Sequence, residues 1–210
     1  MIIAPSIETL NNLIRHQIHN LFLLNEVESE AISLSLGEAL KKTEKCFGQS
    51  TNKYYKRNGN IIFSIYHSGQ YCIFLYLISR QVFLDNPSNR ELADKIYFLN
   101  KTLNGLDLYY EIEMPESFHL DHPVGSVMGR ARYGNNFTFS QQCTVGNNKG
   151  IFPEIGNNVQ MLSGSKILGR CTIGDNVVVA ANSYIKDTDI PADSLVFGTS
   201  PNLIIKSRKK

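Results

Sequence analysis

The stretch FHLDHPVGSVMG, Phe118 to Gly129, holds two of the chain's five histidines, with Asp121 directly before His122. An imidazole, with an ordinary pKa of about 6.5, can take a proton from a poor nucleophile such as a hydroxyl at neutral pH, and a carboxylate beside it favours that role. His122 is therefore the candidate general base. His119 is read as structural, His16 and His19 as helix-surface residues, and His67 in IYHSGQY as an interface histidine. After His122 the chain contains no histidine, and the cysteines at 46, 72, 143 and 171 form no C-x-x-C pair. No metal is expected, which sets aside zinc chemistry, and the cysteines read as reduced thiols of a cytoplasmic protein.

The elements that must position His122 fall into two halves of different period. Residues 1–105 read as an α-helical domain with a role in oligomerisation or on the acceptor side. SIETLNNLIRHQIHNLF and ESEAISLSLGEALKKTEKCF are amphipathic helices, and KYYKRNGNII is expected to be a loop. YCIFLYLIS, Tyr71 to Ser79, is too short to span a bilayer, which takes about 20 residues, and is expected as a buried helix with no transmembrane role. In NPSNRELADKIYFLNKTLNG, Ser88 and Glu91 have capping-box spacing, and Leu92, Ile96, Leu99 and Leu103 recur at helical spacing up to Gly105.

Residues 106–210 follow another rule. Apolar residues recur every six positions at Val127, Tyr133, Phe139 and Val145, then at Ile155, Met161, Ile167, Ile173, Val179 and Ile185. GNN turns follow at Gly134, Gly146 and Gly156 and GDN at Gly174, residues that tolerate left-handed backbone. Small residues stand four positions after the apolar ones: Ala131, Cys143, Ser165, Cys171 and Ser183. That is the signature of a hexapeptide β-helix, in which three units make one triangular coil and residues 18 apart stack. The fold class expected is α+β, helices first and then a parallel β-helix with a C-terminal tail. The step from Val145 to Ile155 breaks the period by four residues, so NNKGIFPE must loop out, on the face where solenoids bind their ligands.

Composition narrows the partners. With 42% hydrophobic residues, 19% charged residues and a net charge of +2, nucleic acid is not the expected partner. The one basic cluster is the terminal IIKSRKK, and the N-terminus shows no basic region followed by an apolar one.

LDHPVG, TVGN, the extruded loop, SGSKILGRCTIGDNVVVAANSYI and DIPADSLVFGTSPNLIIK together resemble the serine acetyltransferase family, well over residues 105–206 and loosely in the helical half. The resemblance implies a left-handed coil, an acetyl-CoA co-substrate and a homotrimer, with hexamers possible through the helical half. It implies that His122 is the base, that Asp121 contacts the acceptor, and that Glu111 or Glu113 of EIEMP takes the place of the carboxylate that orients the base. It implies a cofactor groove between subunits lined by Gly146, Ser163, Gly164, Ala181 and Lys186, with Lys206 near the phosphates. The chain departs from the family where a DRHP-like loop reads GIFP, Gly150 to Pro153, and Phe152 replaces a histidine. The family's terminal isoleucine is absent as well. An aromatic ring suits a sugar or nucleotide face better than a small zwitterion. The first expectation is therefore acetylation of a sugar hydroxyl in surface polysaccharide synthesis, with Phe152 binding the acceptor. Serine O-acetylation for cysteine biosynthesis and a catalytically silent trimeric scaffold are the alternatives.

Overall fold

The computed structural model describes residues 1–50, 52–88 and 90–208. The chain divides into two compact units, Met1–Asn104 and Gly105–Lys210.

The first unit begins with β1 (Ile2–Ala4), α1 (Ile7–Leu21) and α2 (Glu26–Gly48). Each helix starts where a side chain satisfies a free backbone N–H. Ser6 Oγ accepts from the Thr9 amide at 3.0 Å, and Asn25 and Glu28 form a reciprocal capping box. The segment expected as a loop is ordered: a 3-10 turn at Lys53–Tyr55 leads into β2 (Lys56–Arg57) and β3 (Asn60–Ser64). β2 and β3 are antiparallel around Asn58 and Gly59, with φ of 50° and 78°, and β1 pairs with β3 in parallel. An Asn-Gly pair in left-handed backbone is the two-residue turn that matches strand twist. The apolar run lies within α3 (Ser68–Asp85), buried along most of its length, and His67 caps it through Nδ1. α4 (Arg90–Asn104) begins after position 89, which lies outside the described residues, so the cap expected from Ser88 and Glu91 cannot be placed there. Among the described residues no helix is long and apolar enough to cross a membrane.

The second unit is a parallel β-solenoid. Its strands in chain order are β4 (Asp107–Leu108), β5 (Phe118–Leu120), β6 (Val127–Met128), β7 (Arg132–Tyr133) and β8 (Phe137–Phe139). β9 (Thr144–Gly146), β10 (Glu154–Ile155), β11 (Gln160–Met161), β12 (Lys166–Leu168) and β13 (Thr172–Ile173) continue the coils. β14 (Val178–Val179), β15 (Tyr184–Lys186), β16 (Ser194–Thr199) and β17 (Asn202–Ser207) complete it. Stacked strands form three faces: β4-β6-β9-β12-β15 the first, β5-β8-β11-β14-β16 the second, and β7-β10-β13 the third. Ile155 pairs with Ile173, Met161 with Val179 and Ile167 with Ile185, the 18-residue stacking that the period requires. Across the inserted loop the offset grows by four, so that Phe139 meets Met161 and Val145 meets Ile167. The inward column of Phe139, Val145, Met161, Ile167, Val179 and Ile185 is fully buried, and Cys143, Ser165, Cys171 and Ser183 are buried small residues as their positions require.

The first coils correct the expected register. Val127 is not an inward residue: it is 42% exposed, and Met128, at 1%, stacks beneath Val145. The solenoid also starts earlier than Val127, because β4 and β5 already carry the first and second faces. The physical reason is a corner that differs in length from those above it.

The three edges are built differently. Between the third and second faces, Asn136, Asn158, Asn176 and Asp193 stack with φ of 59°, 55°, 59° and 54°. Asn136 Nδ2 donates to Asn158 Oδ1 at 3.0 Å, Asn158 to Asn176 at 3.0 Å, and Asn176 to Asp193 at 2.9 Å. These residue types enter left-handed backbone at low cost, and each satisfies the next. Between the first and third faces, the inserted loop closes as a two-residue turn. Asn148 and Ile151 exchange backbone hydrogen bonds of 3.0 Å around Lys149 and Gly150, with φ of 53° and 79°. The third edge, between the second and first faces, carries His122.

Candidate functional site

Five residues join Leu120 to Ser126, whereas three join Phe139 to Cys143 on the coil above. The two added residues do not extend the strands, which stay in register on both sides. They push the corner outward, and His122 stands at its tip with a side chain 83% exposed. The Asp121 amide is held by the Phe139 carbonyl at 2.9 Å, and the Val124 amide closes back on the His122 carbonyl at 2.8 Å. That tight turn fixes His122 at φ 52°. A histidine in this region is uncommon and costs free energy, and such residues gather at functional sites.

Asp121 Oδ1 lies 3.5 Å from His122 Nε2, with its side chain 63% exposed. At that exposure the pair adds little to stability, so its position matters more than its strength. Glu111 Oε2 accepts from Arg130 Nη2 at 3.1 Å. Glu113 is exposed on the same connecting segment.

The edge above His122 brings several expected cofactor residues together. The Gln142 amide donates to the Val124 carbonyl, the Gly164 amide to the Gln141 carbonyl, and the Asn182 amide to the Ser163 carbonyl. Ser163, Gly164 and Ala181 thus lie on successive coils of the edge that His122 opens. Gly164 has φ of 73°, and a Cβ there would meet Asn182 Oδ1 at 2.3 Å, so a side chain at this position is strained and displaces Asn182. The first face continues from this edge. Val145, Ile167 and Ile185 point inward, so Thr144, Gly146, Lys166, Leu168, Tyr184 and Lys186 point outward. This surface holds two lysines and no carboxylate, and Gly146 and Lys186 flank Leu168 in register. It fits a polyanionic ligand. Two neighbours carried no signal in the sequence beyond their register: Asn182, stacked on Gly164, and Lys166, whose Nζ donates to the Gly164 carbonyl at 2.8 Å.

Other expected site residues lie elsewhere. Phe152, 42% exposed, sits on the edge between the first and third faces, so within one chain it is separated from His122 by the whole first face. Lys206 lies on the terminal β16–β17 hairpin, opposite Leu195, with Nζ 5.7 Å from the centroid of the Phe197 ring. The four cysteines are buried and free of disulfides. Burial pushes the Cys72 thiol up to about 12 and raises that of Cys171, so neither is ionised as a nucleophile at neutral pH.

Residues 152–187 match the bacterial transferase hexapeptide (six repeats) family. The chain is similar to a serine acetyltransferase of Staphylococcus xylosus, 30% identical over 145 residues that cover 67% of this chain and 65% of that protein. It thus spans slightly less than two thirds of that relative's length. The fold is that of a Brucella abortus serine acetyltransferase, at a TM-score of 0.73 and 18% identity, covering 98% of this chain and 86% of the other. A serine acetyltransferase solved in complex with CoA matches at a TM-score of 0.67 and 18% identity, over 95% of this chain and 84% of that one.

Proposed function

We propose, for a chain that belongs to the serine acetyltransferase-like hexapeptide-repeat family, that it transfers acetyl from acetyl-CoA to the hydroxyl of serine. The observation that carries this reading is His122, held in left-handed backbone at the tip of a widened corner, below the outward Lys166 and Lys186 of β12 and β15. The name shared by the chain's relatives moves the acceptor from a sugar, the first expectation from Phe152, to serine.

His122 takes the proton of the acceptor hydroxyl as its oxygen attacks the thioester carbonyl. The carbon–oxygen bond forms, the carbon–sulfur bond breaks, and the proton on His122 passes to the departing thiolate. Asp121, beside the ring, stabilises the imidazolium and faces the acceptor, and Glu111 or Glu113 takes the role of the orienting carboxylate. Gly146, Ser163, Gly164 and Ala181 let the pantetheine arm lie against the backbone, and Lys186 answers its phosphates, with Lys206 contributing from the terminal hairpin. The resemblance to the serine acetyltransferase family supports a homotrimer with its grooves between neighbours, in which Phe152 of one copy could approach His122 of the next.

The test measures free thiol on mixing acetyl-CoA with L-serine or with sugar nucleotides, after showing that acetyl-CoA raises the melting temperature. Serine-dependent release is expected. Release with sugar nucleotides alone would overturn the serine assignment, and no stabilisation by acetyl-CoA would overturn the transferase reading.

A further inference from the structure

Between Glu44 and Asp85 the sequence contains no carboxylate. Part of this stretch is the buried helix α3, but the 3-10 turn and β2 carry exposed residues. Lys53, Lys56 and Arg57 are exposed on the 3-10 turn and on β2, beside the tight Asn58–Gly59 tip. Glu44, the acid nearest upstream, is paired with the amino group of Met1 and does not neutralise them. Two phenol rings accompany these cations: Tyr54 is 62% exposed and Tyr66 is 85% exposed. Tyr66 precedes His67, whose ring lies 6.1 Å from that of Tyr54, so both tyrosines belong to one end of the unit. Their support is rigid. Tyr55, between the exposed Tyr54 and Lys56, is fully buried edge-on against Phe47 at 4.7 Å.

Acetyl transfer gives this end no task. Cations that attract phosphate and exposed amphipathic rings that settle at headgroup level are the chemistry of a peripheral membrane contact. A nucleic acid would offer the same phosphates. However, the chain's net charge of only +2, and two rings in place of an extended basic stripe, favour a bilayer.

We propose that the Lys53–Arg57 turn and strand, with Tyr66, dock this protein on the surface of an anionic lipid bilayer. Binding of the full chain to vesicles of phosphatidylcholine, with and without phosphatidylglycerol, is read by co-sedimentation. A duplex DNA oligonucleotide at the same ionic strength is the competing probe. The protein sediments with the anionic vesicles only, and less so as salt is raised. Replacing Lys53, Lys56 and Arg57 together with Gln lowers vesicle affinity roughly a hundredfold, at about 1 kcal/mol per cation. Tyr66→Ser weakens binding further while leaving the melting temperature unchanged. Three results would each overturn the proposal: no preference for anionic vesicles, preference for the DNA, or full vesicle binding by the triple variant. So would a triple variant whose oligomeric state in vesicle-free solution differs from that of the parent, since that assigns the surface to a contact between copies. Because none of these measurements uses acetyl-CoA, failure here leaves the transferase reading intact, and the reverse also holds.

Discussion

Two edges of one solenoid make opposite use of the same backbone conformation. On the edge between the third and second faces, left-handed residues are Asn136, Asn158, Asn176 and Asp193, and each side chain is bonded to the next. On the edge between the second and first faces, the lowest left-handed corner carries His122, whose ring projects into solvent. The first edge keeps the period without a break, and its polar groups are consumed in holding coils together. The second adds two residues at one corner and leaves an imidazole unengaged by the scaffold. In a solenoid the regular part supplies rigidity, and chemistry becomes available where the repeat is interrupted.

This contrast can be broken by substitution. His122→Ala should lower the rate of acetyl transfer by about 10²–10⁴-fold while leaving the melting temperature unchanged, because the ring supports nothing in the scaffold. A large loss of stability would place His122 in the scaffold after all. Gly164→Ala should cost about 2–4 kcal/mol in urea unfolding, since it adds a side chain in left-handed backbone against Asn182, and should weaken acetyl-CoA binding as well. On the stitched edge, Asn158→Ala should cost about 1–3 kcal/mol, with no effect on acetyl-CoA binding, because it leaves Asn136 and Asn176 without their partner. Asn158→Gly should cost less than Asn158→Ala, which separates backbone strain from lost hydrogen bonds.

The smallest effect concerns the edge between the first and third faces. The Arg170 amide, at 2.9 Å, holds the Asp187 carboxyl below its ordinary range, and Asn148 adds a second hydrogen bond. A carboxylate with a lowered folded-state pKa contributes stability above its unfolded value near 3.8, and loses it as pH falls through the still lower folded value. Asp187→Asn should therefore be slightly less stable than the parent at neutral pH, and the gap should close on acidification. Chemical unfolding at the two extremes reads this difference, and a gap that persists in acid would assign it to packing.

Much of the scaffold was legible in the sequence because its signals are local. A six-residue spacing, small residues four positions on, and Gly-Asn turns each carry their own physical reason, and Ile155 through Ile185 lie where that spacing puts them. The Val127 register was not legible. The step from inward Met128 to inward Tyr133 is one residue shorter than six, and only the pairing of Met128 with Val145 reveals it. The β2–β3 hairpin carried a readable Asn58-Gly59 turn, yet its two-residue β2 is too short to show strand alternation, and in the sequence the segment reads as a loop. His122 and Asp121 could be singled out by type and adjacency. The engagement of Glu111 by Arg130 and the separation of Phe152 from His122 depend on which edge each residue occupies, and spacing alone does not give that.

The central claim is that His122 removes the acceptor proton. The pH dependence of kcat/KM for serine, measured in the parent and in His122→Ala, tests it most directly. The parent should show a single-proton limb on which the rate falls as pH is lowered, and the residual rate of the variant should lack that limb. A limb that survives unchanged in His122→Ala would show that another group is the base.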